Sequence, residues 1–235
     1  MVNKKIQDII LLYNSVINGI EQIALEDISR AYGGVIRAAK GTFVEDITKL
    51  ILIIAWEELG GESNRISFVK DRKGLKIEKE YIEKIESKDV REHILLNIES
   101  YKFFVKTDVH CSIDSKLVIG VECKAYTENA MLKRILVDFT FMKKLWPNIN
   151  CFLLQLENFL GGDYSEISRG ITYGSKSTHT IMSQFDDINL ELITLLEGDR
   201  HVKRPIHKQA FFKELKEKNL RIAIDKFKKV LIKYI

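Results

Sequence analysis

No apolar run in these 235 residues approaches the roughly 20 residues that a bilayer crossing requires. The longest, 47–56, is interrupted by Lys49 and reads as a core helix. The N-terminus leads into an amphipathic pattern rather than a leader peptide. Cysteine is scarce and odd in number: Cys111, Cys123 and Cys151 all sit in apolar, strand-like contexts. That argues against a disulfide framework and for a reducing, cytoplasmic setting. No Cys/His spacing suits zinc, because the adjacent His110 and Cys111 point to opposite faces of a strand. Internal repeats and low-complexity segments are absent. A Gly-rich stretch at 170–177 has the look of a phosphate-binding loop, but Ser175 stands where its second glycine belongs and no strand precedes it. A nucleotide cofactor is therefore not expected.

With 46% hydrophobic and 30% charged residues, the chain can bury a sizeable core. We expect one domain over 1–235. The net charge of +4 hides an asymmetry: 200–235 carries twelve Lys or Arg against three acids, leaving 25 basic and 30 acidic residues in the rest. A basic end fits a polyanion-binding surface; a solvated lysine face on an amphipathic helix fits equally.

Periodicity predicts helices over 4–22, with Ile6, Ile9, Ile10, Tyr13, Ile17 and Ile20 on one stripe, and over 25–37, stopping at Lys40 and Gly41. Thr42 then caps a third helix with Glu45 at the capping-box position, ended by Gly60 and Gly61. Residues 65–70 suit a strand and 89–100 a helix. The stretch 101–105 runs on into the next strand with a bend. Thr127 caps a helix that Pro147 ends. Residues 150–156 form an interior strand, so strand, crossover helix and strand predict a parallel βαβ unit. The loop 161–180 is rich in hydroxyls and donors, among them Arg169, Lys176 and His179, a set suited to phosphates and base edges. A mobile surface excursion is the alternative. Residues 189–196 suit a last strand, and 210–234 a helix in two pieces broken near Asn219.

The chemistry concentrates in a hairpin. Residues 107–113 alternate polar and apolar, 114–116 form a short polar connection, and 117–125 is β-branched and apolar. A turn centred near Asp114 and Ser115 sets Asp108 opposite Val121 or Glu122. Alternation puts Glu122 and Lys124 on one face and Val121, Cys123 and Ala125 on the other. Two carboxylates and an ammonium thus converge at the open end, where carboxylates suit a hard divalent cation. Charged groups ending a buried strand need partners or a task. Gly120 leaves room for another backbone or a ligand.

Asp108, then Glu122 and Lys124 in a Glu-x-Lys triplet, followed by a helix, resembles the PD-(D/E)xK nuclease superfamily, and its type II restriction endonucleases most of all. The resemblance covers about 42–157, with Thr107 replacing the proline of the motif. It implies an α/β fold, a restriction-endonuclease-like mixed β-sheet flanked by helices, with helical N- and C-terminal extensions. The catalytic core would be 42–157; residues 158–235 would add a loop and a basic helical extension for DNA recognition. It also implies a Mg²⁺-dependent, sequence-specific endonuclease acting on double-stranded DNA as a homodimer. Asp108, Glu122 and the main-chain carbonyl of Cys123 would hold the metal, Lys124 would orient or deprotonate the attacking water, and Glu45 would add a ligand. Arg169, Lys176, His179, Lys203, Arg204 and Lys208 are the candidate DNA contacts. The competing classes are a structure-selective or repair nuclease of the same superfamily and a non-catalytic DNA-binding protein.

Overall fold

Asp114 and Ser115 both adopt left-handed backbone, with φ of 49° and 64°, the geometry of a tight two-residue hairpin turn. The turn joins β4 (Val109–Ile113) to β5 (Lys116–Glu128). The computed structural model describes residues 2–26, 32–70, 72–162, 164 and 175–235. Val109 pairs with Val121, so Asp108, one residue earlier, enters the sheet beside Glu122. A register shift between Cys111 and Ser112 bulges the hairpin near its closed end.

From β5 the chain passes through α5 (Asn129–Leu145) to β6 (Asn150–Phe159), which lies parallel to β5 from Ile119↔Asn150 to Glu128↔Phe159. A short β7 (Glu191–Thr194) continues the parallel set, and a two-residue β1 (Ile66–Ser67) pairs antiparallel with β4. The sheet order is β1-β4-β5-β6-β7. This is the mixed, helix-flanked sheet expected.

One face is covered by α1 (Val2–Glu26), α2 (Tyr32–Glu58) and α7 (Glu217–Leu231), whose apolar residues share a core with Cys111, Val121, Cys123, Phe152 and Leu154. On α1, Ile6, Ile9, Tyr13 and Ile17 are buried as the stripe predicts. The other face is covered by α5, through Leu132, Ile135, Phe139 and Met142. Gly120 serves this second layer. A Cβ there would come within 3.0 Å of Ile149 and 3.4 Å of Phe139, so helix packing, not a ligand, uses the space.

Several expectations change. The helix does not break at Gly41: α2 runs unbroken through it. Gly costs about 1 kcal/mol in a helix, and burial of Phe43, Val44, Ile47, Ile51 and Leu52 outweighs that. Glu45 is therefore an interior helical residue, not a capping-box partner. The helix does end at the glycine pair. Gly60 takes φ of 83°, and a Cβ on Gly61 would fall 2.1 Å from the Trp56 ring.

Residues 102–104 do not continue into the hairpin. They form β3 (Lys102–Phe104), paired with β2 (Gly74–Lys76) in a separate small sheet. Between these strands lie α3 (Lys79–Glu83) and α4 (Lys88–Leu96). Thr127 caps nothing, because β5 continues through Glu128 before α5 begins. Part of the expected loop 161–180 is helical, as α6 (Lys176–Ser183). Asn219 does not break a helix: it lies in the first turn of α7, donating from Nδ2 to the Leu195 carbonyl at 2.9 Å.

The largest revision concerns the basic end. Lys226 is ion-paired to Glu191 at 2.7 Å, Lys228 to Glu58 at 3.0 Å, Arg221 to Glu58 at 2.6 Å, and Lys216 to Glu197 at 2.7 Å. Much of the positive charge of 200–235 thus offsets acids elsewhere in the chain. Burial acts to raise the Glu58 carboxyl, but hydrogen bonds from Lys228 and Arg221 outweigh it and hold the carboxyl below its usual range. A carboxylate depressed in the folded state contributes stability above its unfolded pKa, about 4.3, and loses it as pH falls through the lower folded value. Glu58→Gln should therefore destabilise the protein by about 1–2 kcal/mol at neutral pH. The gap from the parent in urea midpoint should narrow as the pH drops below about 4; a gap that stays constant with pH would contradict the assignment.

Candidate active site

Asp108 immediately precedes β4, while Glu122 and Lys124 lie on β5, two residues apart and so on one face. Backbone geometry fixes the aspartate: the Cys123 N–H donates to Asp108 Oδ2 at 2.8 Å. Thr107 is buried; its N–H donates to His110 Nε2 at 3.3 Å, tying down the approach to the strand.

Lys124 Nζ is the focus of the site. It donates to Asp108 Oδ2 at 3.1 Å, Glu122 Oε1 at 2.5 Å and the Cys123 carbonyl at 3.2 Å. Burial pulls its pKa down, but the charges of Glu122 and Asp108 more than offset this and raise it, so the ammonium keeps its proton. Glu122, only 15% exposed, is raised by burial and by the Asp108 charge, against the opposing pull of Lys124.

Two carboxylate oxygens and one carbonyl oxygen therefore lie within 3.2 Å of the Lys124 ammonium. All three donors are hard oxygens, which fits Mg²⁺ or a similar ion better than zinc. Among the described residues no group of three or more His, Cys, Asp and Glu is arranged to hold a metal. Two acids with a carbonyl match the sparse protein shell usual for Mg²⁺, which keeps several waters.

Glu45 approaches from α2. One turn later Thr48 Oγ1 lies 3.3 Å from Cys123 Sγ and donates to the Val44 carbonyl at 2.7 Å, locking α2 onto β5. The Glu45 charge is felt at the Cys123 thiol, whose pKa is pushed up chiefly by burial. No hydrogen bond joins Glu45 to Asp108, Glu122 or Lys124 among the described residues, and its charge is felt at Cys123 rather than at the triad. All three cysteines are free and buried, with Cys111 and Cys151 pushed up to about 12 by burial. None is poised as a thiolate nucleophile.

Two side chains that sequence patterns did not single out border the triad. Asp138 of α5 raises Glu122 through its charge, and burial raises its own pKa. Gln155, fully buried on β6 beside Lys124, donates from Nε2 to Thr194 Oγ1 at 3.0 Å, while its Oε1 has no partner among the described residues. A glutamine inside an apolar strand is a visible signal; the placement of Asp138 on a solvated-looking helix is not.

The chain is 45% identical over 226 residues to the type II restriction enzyme DdeI of Desulfomicrobium norvegicum, with 94% of each chain covered. It belongs to the type II restriction enzymes. No family model matches the chain. Among solved structures, a chain of the native BbvCI A2B2 tetramer aligns at 12% identity and a TM-score of 0.39, covering 96% of this chain and 88% of that one.

In this restriction enzyme, Lys176 and His179 are exposed on α6. Thr178 Oγ1, at 2.8 Å from both Asn129 Oδ1 and the Leu160 carbonyl, ties α6 to the end of β6 and the start of α5. Lys203, Arg204 and Lys208 are exposed on turns that follow β7. The isolated parallel bridge Asn158↔Asp199 brings the start of that stretch to the same strand ends. These ends lie a few residues beyond Lys124. Lys226, Lys229 and Lys233 of the C-terminal helical segment instead border a cavity of about 230 Å³ with Asn150 and Glu191, at the opposite end of β6. Arg169 falls outside the described residues.

Proposed function

We propose that this chain is a Mg²⁺-dependent endonuclease of the PD-(D/E)xK type that cuts double-stranded DNA at a specific sequence and works as a homodimer. The observation that carries the proposal is the convergence of the Asp108 carboxylate, the Glu122 carboxylate and the Cys123 carbonyl on the Lys124 ammonium. Those three oxygens would hold the metal. A bound Mg²⁺ would supply a water of lowered pKa and offset charge on the phosphate. Lys124, protonated at Nζ, acts as a donor: it orients the attacking water and stabilises the charge that develops on the phosphoryl oxygens. The Cys123 N–H holds Asp108 in place while its other oxygen stays available. Glu45 and Asp138 flank the acids from opposite layers of the fold and strengthen the negative potential that recruits a cation.

Sequence reading at the strand ends falls to Lys176, His179, Lys203, Arg204 and Lys208, with Arg169 in the intervening segment. A two-fold DNA site is matched by a two-fold protein. The apolar sides of α1 and α7 are committed to the core of one chain.

Incubation with mixed-sequence plasmid is the direct test. Discrete fragments are expected with Mg²⁺ and none with chelator, from a protein that sediments as a dimer. A smear would favour a structure-selective or repair nuclease. DNA binding without cutting under any divalent ion would favour a non-catalytic protein.

A further inference from the structure

We infer that Arg200 is a phosphate-contacting residue of the cleavage site, gripping the DNA backbone beside the phosphate that Lys124 faces. This inference rests on the nuclease reading of the triad.

Register is the first observation. β5 and β6 stay in regular parallel register from Lys124↔Gln155 through Glu128↔Phe159. Alternation then puts Glu122, Lys124 and Tyr126 in one row on one face. Successive members of that row are about 6.6 Å apart, a spacing comparable to the step between neighbouring phosphates of one strand.

Arg200 stacks on Tyr126, the third member of this row. Its guanidinium carbon lies 3.8 Å from the Tyr126 ring centroid and 5.8 Å from that of Phe159. Phe159, 39% exposed, closes the row on β6. The backbone is anchored as well: the Arg200 N–H donates to the Asn158 carbonyl at 2.8 Å, next to the Asn158↔Asp199 bridge. A guanidinium stacked on an aromatic face keeps its in-plane N–H donors free, and its planar fork matches a phosphate.

Charge is the second observation. The neighbouring cations Lys213 and Lys216 are taken up by Glu157 and Glu197, at 3.0 and 2.7 Å. Arg200 makes no ion pair among the described residues and is half-buried. A partly desolvated, pre-oriented guanidinium with an uncompensated charge, stacked on the residue one row position past Lys124, is suited to an anion that arrives with the substrate. Stacking on Tyr126 lowers the conformational cost of that contact.

The test uses the full-length protein and a duplex containing a site it cuts, with single methylphosphonates placed one at a time around the scissile phosphate. Arg200→Ala should weaken binding by roughly 10- to 100-fold and flatten the log–log salt dependence by about 0.9. One methylphosphonate next to the cut should weaken the parent protein yet add nothing to Arg200→Ala. Arg200→Lys should keep the salt slope while losing part of the affinity. Tyr126→Leu should diminish the same methylphosphonate effect by removing the platform, which keeps the inference testable if Arg200→Ala does not fold. If the effects of Arg200→Ala and methylphosphonate multiply at every position, or the salt slope is unchanged, Arg200 does not contact the backbone and the inference is overturned. Failure of the parent protein to cut any duplex would instead overturn the nuclease reading, so the two failures are distinguishable.

Discussion

Asp108→Ala and Lys124→Ala are each expected to lower Mg²⁺-dependent cleavage by about a thousandfold or more, with the fold retained. Asp108 and Lys124 are 29% and 30% exposed at the edge of the site rather than in the core. Asp108→Ala leaves the Cys123 N–H and one Lys124 contact without their acceptor, a cost of about 1–3 kcal/mol, set against a typical total of 5–15 kcal/mol. The two variants should differ in how they bind DNA. Without Asp108 a negative charge beside the phosphate is gone, so metal-free binding should hold or tighten. Without Lys124 the Glu122 and Asp108 carboxylates face one another uncompensated, and metal-free binding should weaken. Filter or gel-shift binding in chelator, paired with single-turnover cleavage in Mg²⁺, separates these outcomes. Substantial Mg²⁺-dependent cutting by folded Asp108→Ala would sink the assignment. Asp114, the acid at the hairpin turn, offers no substitute. It sits at the turn, held by Arg65 through contacts of 2.9 and 3.0 Å.

How much of this was legible in the sequence depended on the range of the interaction. The hairpin was readable because its signals are local: two residues with turn chemistry, alternation on either side, and acids at fixed offsets. The observed pairing of Val109 with Val121 places Asp108 beside Glu122, one of the two registers expected. The βαβ unit was readable for the same reason, from an apolar strand, a periodic helix and Pro147. Misreadings arose where packing overrides a local signal. Gly41 reads as a break, yet α2 continues because its following turns are buried against β5. Thr127 reads as a cap, yet it is buried in a strand that outruns the local pattern by several residues. Neither Asp138, beside the triad, nor Arg200, over the Tyr126 ring, could be placed from spacing alone, since one lies on a helix and the other comes after β6 and β7. The charge of 200–235 was visible, but the destinations of its lysines were not, because Glu58 and Glu191 are distant in sequence.

That last point leads to a large effect far from the chemistry. If 217–231 were an appended DNA-binding helix, truncating its apolar side chains would impair binding and spare the fold. The structure assigns the helix the opposite role. Leu220, Ala223, Ile224, Phe227 and Leu231 are all fully buried against α2 and the sheet. The Phe227 ring lies 4.7 Å from that of Phe152 on β6, tilted at 43°, within the range where aromatic pairs add to simple burial. Phe227→Ala should therefore cost about 3–5 kcal/mol, a large share of the stability of an ordinary domain. It should also lower the urea midpoint in a single transition that takes the hairpin and the candidate site with it. Phe227→Leu, which keeps most of the volume, should recover much of the loss. Purified Phe227→Ala, assayed at a temperature where it remains folded, should cut DNA at nearly the parental rate, because nothing on this helix touches the triad. A variant of parental stability with weakened DNA binding would return the helix to the recognition surface.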